Sequence, residues 1–541
     1  MQKNIYLRDR ITIAFLLVLL ISFVLSVWGI WYGLPDHVIG DEESLIFGAL
    51  KMLELKTLVP SLHPAEFEFL YYPVVIPYLV IAFSTPVTFW QLMTLGSLQA
   101  VKDFFILNQG AIWIAARMVS VVASVAMLVL LYRIASLVFT KRIALLSVVL
   151  LAASFLHMNA AHFARHWMMA TLASYFVAYG ALRFVKQKDV PWWLVPVSAA
   201  VALGVSYTAV LGALFAACYF WSQRKHIQDF TPFAIRSCVI FLILGAGIVG
   251  LHYGEALEII GPLGGRDTSL GLASTLTYGI SVLARQEILI SLAAVAALCA
   301  VKKYGKLNAL IFSLALIYLI IVHFAYHIEV RYLYFIVPLL AMAAATFWDY
   351  CIERKWRVEI ILLTLGTLYS FAVVMYYDVL LTRKDTRAQA REWIFERQDT
   401  EFILSSPAIQ LYRTKDALER ELRYGRVRFA ERYLLAHERL QGRAPAYRYT
   451  NLHFWNPDKT VSDLNEYLKD VRPRYFVVEY WSGGNISQLA KSLMTRGRLV
   501  AEFRQSDQGR PYDINGNFFA SNVIVFSLAR LGPTVQVYEL P

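Results

Sequence analysis

Three consecutive carboxylates form the stretch of this sequence best suited to chemistry, Gly40-Asp41-Glu42-Glu43. They follow an apolar run, residues 11–31, and precede an amphipathic segment, residues 44–55. Carboxylates beside lipid cost free energy unless they face water, a partner or a reacting group. A carboxylate outside the bilayer can serve as the general base that takes a proton from a hydroxyl. The plainer alternative is a solvated helix start, because acidic residues favour the first turn of a helix.

The composition indicates which elements must position these carboxylates. Of the 541 residues 58% are hydrophobic, and the mean hydropathy is +0.51, which is too apolar for an ordinary soluble protein. Several runs approach the ~20 apolar residues that cross the hydrocarbon core of a bilayer. The sequence therefore predicts a polytopic α-helical membrane protein.

The net charge of +12 does not indicate nucleic acid as a partner. Many Lys and Arg residues stand at the ends of apolar runs, as in membrane proteins generally, and the polar tail has no nucleic-acid motif. The cysteines Cys218, Cys238 and Cys299 fall in apolar runs, and none lies in the tail. We therefore expect neither a disulfide framework nor a cysteine-based metal site. Residues 11–31 lack a cleavage site and read as a retained first helix.

Apolar runs and flanking charges together predict about eleven membrane crossings. They are 11–32, 111–132, 143–160, 167–185, 192–206, 208–222, 237–253, 281–300, 308–325, 332–349 and 357–377. The run 71–90, which contains three prolines, reads as an interfacial or re-entrant piece of a long first external loop, 33–109. Every second connection is basic, which predicts a cytoplasmic N-terminus, an external tail and a location in the cell inner (plasma) membrane.

The predicted external face collects the unusual polar residues of the membrane domain. They include His63, His162, Arg165, Arg266, Glu329 and Arg331. Each alone has a plain explanation, such as a loop charge, an interfacial anchor or a structural ion pair. Ionisable groups at the ends of several membrane helices are nevertheless candidates for function. We expect them to line one cavity that opens to the outer leaflet.

The composition changes after residue 377. Residues 385–394 are typical of an amphipathic helix, and strand-like runs follow at 401–405, 475–480, 522–528 and 535–540. The sequence thus predicts two parts: a membrane domain, 1–383, and an external α/β or α+β domain, 384–541.

Several short motifs occur in an order that resembles the GT-C glycosyltransferases, in particular family 39, the protein-mannosyltransferase and aminoarabinose-transferase-like group. After the Asp41-Glu42 pair come an aromatic and proline-rich segment, an Ala-Arg-Met-Val-Ser helix opening, a His-Phe-Ala-Arg element and a Glu-Val-Arg-Tyr element. These segments contain Tyr72, Arg117, His162 with Arg165, and Glu329 with Arg331. The sequence DTRAQAREWI is similar to the start of the external domain in many bacterial members.

The resemblance implies a GT-C-like fold and an enzyme that moves a hexose or pentose from a polyprenyl-phosphate donor to an external hydroxyl. It implies that Asp41 is the general base of an inverting transfer, with Glu42 as a supporting carboxylate. For the donor phosphate we rank Arg331 first, then Arg165 and Arg266, because guanidinium groups bind phosphate through paired hydrogen bonds. His63, His162, Tyr72, Glu329 and Arg117 are candidates for contacts with sugar or acceptor, or for supporting the cavity.

No metal site is predicted, because no His/Glu spacing of a known motif is present. A cofactor is not required, and a divalent metal is not excluded. The expected partners are the lipid-linked donor, membrane lipid, and an acceptor that is a glycan, a glycolipid or a protein.

Three alternatives remain open at this point. A transporter or flippase of lipid-linked sugars would place polar groups at the membrane midplane, where the runs 121–131 and 311–321 are apolar. An O-antigen-ligase-like transferase would use a diphosphate-linked donor. A sensor or scaffold would bind a partner through the tail.

Overall fold

The computed structural model describes residues 2–34, 39–67, 70, 72–252, 271–325, 329–397, 400–405, 409, 411, 414–417, 419, 447–452, 461–481, 486–506 and 522–541. Within these ranges, eight helices are long and apolar enough to cross a membrane. They are α1 (Gln2–Val27), α3 (Val75–Leu95), α5 (Gly110–Val138), α8 (His166–Lys186), α11 (Phe230–His252), α14 (Gly305–Ala325), α15 (Val337–Arg354) and α16 (Arg357–Thr382). The remaining helices of the membrane domain are α2 (Gly40–Leu55), α4 (Leu98–Leu107), α6 (Lys141–Ala152), α7 (Phe155–His162), α9 (Leu194–Val205), α10 (Val210–Ser222), α12 (Leu272–Gln286) and α13 (Ile288–Ala300).

Two spans are bent. Helices α6 and α7 meet at 61° and α12 and α13 at 112°, and counting each pair as one span gives up to ten. The predicted crossing over 281–300 thus contains the second bend, which lies at Glu287. The carboxylate of Glu287 joins both bends, because its Oε1 accepts from the Ser154 hydroxyl at 2.6 Å and from the Leu156 N–H at 2.8 Å. A carboxylate is thus placed where broken helices expose backbone donors.

The segment that contains α3 and α4 begins and ends at one apolar cluster. Ile76 and Val80 of α3 pack with Ile112 and Trp113 of α5, and Phe105 of α4 packs against the same group. Helix α3 continues through Pro86, although the prolines suggested a broken segment. The interpretation of this segment as an interfacial or re-entrant piece stays a prediction.

The tail forms a five-stranded mixed sheet in the order β2-β1-β3-β5-β4. Its elements are α17 (Thr386–Phe395), β1 (Glu401–Leu404), β2 (Arg448–Asn451), α18 (Val461–Val471), β3 (Tyr475–Tyr480), α19 (Gln488–Arg496), β4 (Arg498–Phe503) and β5 (Thr534–Glu539). Strand β1 runs parallel to β2 and β3, whereas β5 is antiparallel to β3 and β4. The α/β class of the tail, the α17 helix and three of the predicted strands are confirmed. Strands β2 and β4 were not predicted.

The predicted strand at 522–528 is wrong, because Asn522–Ser527 is a 3-10 helix. Its Val525, with Leu528 and Leu531 beyond it, packs against Tyr377 and Leu381 of α16. The apolar residues of this run thus cover a membrane helix instead of filling a sheet. Consequently, the tail is packed directly onto the membrane helices.

Candidate active site

Helix α2 begins at the carboxylate cluster. Asp41 lies in its first turn, and the side chain of Asp41 lies outside the part of the chain that the structure describes. The Glu42 side chain is fully buried. Its Oε1 accepts from the Arg117 Nε at 2.8 Å and from the Ala164 N–H at 2.7 Å, and its Oε2 accepts from the Arg117 Nη2 at 2.7 Å. Glu42 therefore fixes the start of α2 and does not itself face a substrate.

Arg117 completes this buried arrangement from α5. Besides Glu42, its Nη1 donates to the carbonyls of Ile30 at 2.6 Å and Tyr32 at 2.7 Å. The side chain has no exposed surface, and each of its terminal nitrogens already has a protein acceptor. The predicted contact of Arg117 with substrate is at odds with this geometry. Arg117 supports the site by joining the end of α1 to the start of α2.

The segment between α7 and α8 lies against this pair. The backbone N–H that donates a hydrogen bond to Glu42 belongs to Ala164, the residue before Arg165. The guanidinium carbons of Arg117 and Arg165 lie 5.4 and 5.9 Å from the centre of the Phe163 ring. Arg165 also precedes the first turn of α8 and gives that turn no side-chain cap. The structure therefore brings Arg165 and the N-terminus of α8 next to the start of α2.

A series of neighbouring tilted rings leads from the segment before α3 to the segment before α15. Tyr72 lies 4.3 Å from His166, His166 lies 3.9 Å from Trp167, and Trp167 lies 4.4 Å from Tyr332, measured between ring centres. The Arg331 guanidinium lies 5.7 Å from the Tyr332 ring. Three segments far apart in sequence, those with Tyr72, with His166 and Trp167, and with Arg331 and Tyr332, thus lie side by side. Sequence analysis named Tyr72 and Arg331 but missed Trp167 and Tyr332, whose aromatic character alone does not separate them from core residues.

Glu329 and Arg331 form an ion pair in which the Arg331 Nε lies 2.5 Å from a Glu329 carboxylate oxygen. Both belong to the segment that enters α15, where Val330–Ile336 is a 3-10 helix. Their side chains keep 12% and 22% of their surface exposed. Arg331 is therefore accessible to an anion, which would have to compete with Glu329.

His162 has a structural position. Its Nδ1 lies 2.8 Å from the Met158 carbonyl, and its Nε2 lies 2.9 Å from the Trp28 carbonyl and 3.3 Å from the Asp378 carboxylate. The side chain is fully buried, so the predicted contact with sugar or acceptor does not fit. The ring instead joins α7 to the end of α1 and to α16.

Two further residues, His63 and Arg266, were predicted to belong to the site. His63 lies exposed between the 3-10 helices Pro60–Leu62 and Pro64–Glu66. Arg266 lies outside the described residues. Among the residues that the structure does describe, no group of three or more His, Cys, Asp or Glu side chains is arranged to hold a metal ion.

Comparison with known proteins relates this arrangement to sugar transfer. A family model described as dolichyl-phosphate-mannose-protein mannosyltransferase matches residues 104–248. A second, the Alg9-like mannosyltransferase family, matches residues 263–403. No curated protein sequence is similar enough to this chain to count as a relative.

Solved structures resemble the chain over most of its length. The crystal structure of apo ArnT from Cupriavidus metallidurans has 10% sequence identity and a TM-score of 0.51, with 97% of each chain covered. The same protein bound to undecaprenyl phosphate has 11% identity, 97% coverage of each chain and a TM-score of 0.49. The Archaeoglobus fulgidus oligosaccharyltransferase tethered with an acceptor peptide has 10% identity and a TM-score of 0.44, covering 86% of this chain and 69% of that one. The likeness to apo ArnT shows a common fold.

Proposed function

Since the chain belongs to the GT-C superfamily of membrane glycosyltransferases, we propose that it transfers a sugar from a polyprenyl-phosphate donor to a hydroxyl of an external acceptor. The observation that carries this proposal is the convergence of the start of α2 with Arg165 and, through the ring series, with Arg331. Asp41 precedes the anchored Glu42, so its backbone is held beside the segment that contains Arg165. A base and a phosphate site are the two groups that this reaction needs.

The proposed reaction is a direct displacement. Asp41 takes the proton of the acceptor hydroxyl, whose oxygen forms a bond to the anomeric carbon of the sugar. The bond from that carbon to the phosphate oxygen breaks, and the polyprenyl phosphate leaves with the electron pair. Attack from the opposite side inverts the anomeric centre. No metal is required, because the leaving group is a phosphate monoester whose developing charge the arginines can stabilise.

Arg331 and Arg165 are the proposed phosphate ligands. Arg331 is partly exposed beside Tyr332, and Arg165 stands at the N-terminus of α8, where the helix dipole also favours an anion. Guanidinium groups can hold two phosphate oxygens at once. The description of the family that matches residues 104–248 names a dolichyl-phosphate-linked sugar, which is a donor of this class.

An apolar cavity supports a lipid-linked donor. It has a volume of about 650 Å³ and lies among α8, α10, α14 and α15. Its lining includes Tyr318 and Phe335, which stack 4.5 Å apart, and Phe335 belongs to the same 3-10 helix as Arg331. The Tyr318 hydroxyl donates to the Tyr332 carbonyl at 2.6 Å. A prenyl chain in this cavity would therefore begin close to the proposed phosphate site.

The test of the base uses two neighbouring carboxylates. We expect cells that carry Asp41→Asn in place of the wild-type chain to accumulate the same polyprenyl-phosphate sugar, detected by lipid mass spectrometry, as cells that lack the chain. Purified Asp41→Asn should still bind undecaprenyl phosphate. Glu43→Gln is the matched control and should prevent the accumulation. Normal lipid pools in Asp41→Asn cells would refute the assignment of the base, and identical pools with and without the chain would refute the function.

The orientation in the membrane has its own test. We propose a cytoplasmic N-terminus and an external tail in the plasma membrane, because alternate connections are basic. In a background without native cysteines, a cysteine at position 41 should react with an impermeant thiol reagent added outside intact cells. A cysteine at position 303 should react only after lysis. The reverse pattern would overturn the topology.

A further inference from the structure

A chain of buried polar contacts leads from the external domain to helix α2. Its members, in order, are Glu479, Arg387, Asp385, Tyr32, Arg117 and Glu42. The Arg387 Nη1 lies 3.8 Å from the Glu479 carboxylate of β3. The Arg387 Nε and Nη2 donate to the Asp385 carboxylate at 2.8 and 3.0 Å. Arg387 therefore connects Asp385 to strand β3 of the external domain.

Within this chain of contacts, Tyr32 joins the external domain to the membrane domain. Its hydroxyl donates to the Asp385 carboxylate, and its backbone carbonyl accepts from Arg117 at 2.7 Å. Arg117 in turn holds Glu42, the residue after Asp41. Tyr32 is 1% exposed. Its burial, together with the charge of Asp385, raises the pKa of its hydroxyl well above the ordinary value, so the hydroxyl stays a donor at physiological pH.

The external domain holds Asp385 from its other side. The Thr386 N–H donates to the Leu531 carbonyl at 3.1 Å, and the Thr386 hydroxyl donates to the Pro533 carbonyl at 2.7 Å. Gly532 between them has φ +111°, and a Cβ there would lie 2.2 Å from the Thr386 hydroxyl and 2.6 Å from Asp385. Only glycine allows this close approach of the two chain segments.

Apolar packing also joins the external domain to the start of α2. Ile39, which directly precedes Gly40 and Asp41, is fully buried. It belongs to one core cluster with Tyr32 and with Val525, Leu528 and Leu531 of the external domain. The start of α2 is thus connected to the external domain in two ways, by the polar contacts through Tyr32 and Arg117 and by this shared apolar cluster.

We propose that Tyr32 and Asp385 are positioning residues through which the external domain fixes the start of α2, and with it Asp41. The catalytic consequence rests on the proposed function of Asp41. The structural consequence does not, so the two can be tested apart. The external domain is then a part of the transfer machinery and not only an attached module.

The test compares two tyrosines that both bind the external domain. Tyr32→Phe removes the hydrogen bond to Asp385 and keeps the ring in its cluster. Tyr376→Phe removes the hydrogen bond from α16 to the Leu528 carbonyl, which is 3.1 Å long and lies outside the chain of polar contacts to α2. Hydrogen exchange of the full-length protein in detergent is followed for peptides that cover residues 39–46 and, separately, β3 and β5.

In Tyr32→Phe we expect exchange at 39–46 to become about tenfold faster, because a buried hydrogen bond to a charged group is lost. Exchange in β3 and β5 should stay unchanged. Asp385→Asn should act on 39–46 in the same direction, and Tyr376→Phe should leave it unchanged. Unaltered exchange at 39–46 in both Tyr32→Phe and Asp385→Asn would overturn the proposal, and so would an equal effect of Tyr376→Phe.

Lipid pools separate this proposal from the proposed function. If the chain is the transferase, Tyr32→Phe cells should accumulate the polyprenyl-phosphate sugar partly, while undecaprenyl phosphate binding by the purified variant changes less than twofold. Faster exchange at 39–46 in a chain whose loss leaves the lipid pools unchanged would refute the function and support the positioning role. Normal exchange at 39–46 in Tyr32→Phe, together with donor that accumulates in cells lacking the chain, would refute the positioning role and support the function.

Discussion

Two Glu–Arg pairs lie at the candidate site, and they differ in burial and in sequence separation. Glu42 and Arg117 are fully buried, and the pair joins α2 to α5 across 75 positions. Glu329 and Arg331 are close neighbours in sequence and keep 12% and 22% of their side chains exposed. In the buried pair, both carboxylate oxygens and all three guanidinium nitrogens are bound by protein groups, which indicates a structural role. The pair that keeps part of its surface exposed can exchange one partner for a ligand.

The largest expected effect comes from breaking the buried pair. Arg117→Ala leaves the Glu42 carboxylate without its guanidinium in the protein interior, which should cost about 3–5 kcal/mol of the free energy of unfolding. Thermal unfolding in detergent, followed by size-exclusion chromatography, measures the loss. Arg331→Ala is the matched control and should unfold close to the wild-type temperature. Equal stability of Arg117→Ala and the wild type would show that the pair is not structural.

The next effect separates the two pairs by ligand binding. Arg331→Ala should weaken undecaprenyl phosphate binding about tenfold to a hundredfold, because a hydrogen bond to a charged group contributes about 1.5–3 kcal/mol. Native mass spectrometry of the detergent-solubilised protein measures the affinity. Arg183→Ala removes an arginine from another ion pair, with Asp189, and should not change it. Unchanged affinity in Arg331→Ala would move the phosphate site elsewhere.

A smaller effect sharpens the role of Glu329. If phosphate and Glu329 compete for Arg331, then Glu329→Gln should strengthen undecaprenyl phosphate binding. The gain should stay below about fivefold, since a partly exposed ion pair is worth about 0.2–1 kcal/mol. The same titration measures it. Weaker binding in Glu329→Gln would mean that Glu329 orients Arg331 and does not compete for it.

The smallest effect is expected for an ion pair at the surface of the tail, the opposite case to the buried Glu42–Arg117 pair. Glu539 accepts hydrogen bonds from Arg498 and Arg474, which lower the pKa of its carboxyl group. A lowered pKa in the folded state stabilises the fold above the unfolded pKa of about 4.3 and loses that contribution as the pH falls through the folded value. Glu539→Gln should therefore make hydrogen exchange of β4 and β5 slightly faster at pH 7, and the difference from the wild type should disappear at a pH below the folded pKa. A large change at pH 7, or a difference that persists in acid, would contradict this account of a surface ion pair.

Composition and charge placement predicted the class of the fold well, because crossing a bilayer requires long apolar runs and the ends of those runs carry a charge bias. The same patterns could not predict the bends at Ser154 and Glu287. These depend on one carboxylate that satisfies backbone donors of a distant helix. The run at 522–528 has strand-like composition, yet its packing against α16 makes it a 3-10 helix.

For the candidate site, the sequence indicated segments that lie together in the structure but not the contacts of each side chain. Glu42 was expected to support Asp41, and Arg117 and His162 to contact substrate or support the cavity. All three are buried and bound by protein groups. Burial of a charged residue depends on its partner, and the partner of Glu42 lies 75 positions away. The contact between Tyr32 and Asp385 spans 353 positions. No local pattern marks such a pair, because a Tyr after a first helix and an Asp before a later one are each ordinary.

The most direct test of the central claim is an experimental map of the protein with undecaprenyl phosphate bound. We expect the phosphate about 3 Å from the guanidinium groups of Arg331 and Arg165, with the Asp41 carboxylate facing the same pocket and the Glu42–Arg117 pair still buried behind it. A phosphate bound elsewhere, or an Asp41 side chain directed away from these arginines, would contradict it.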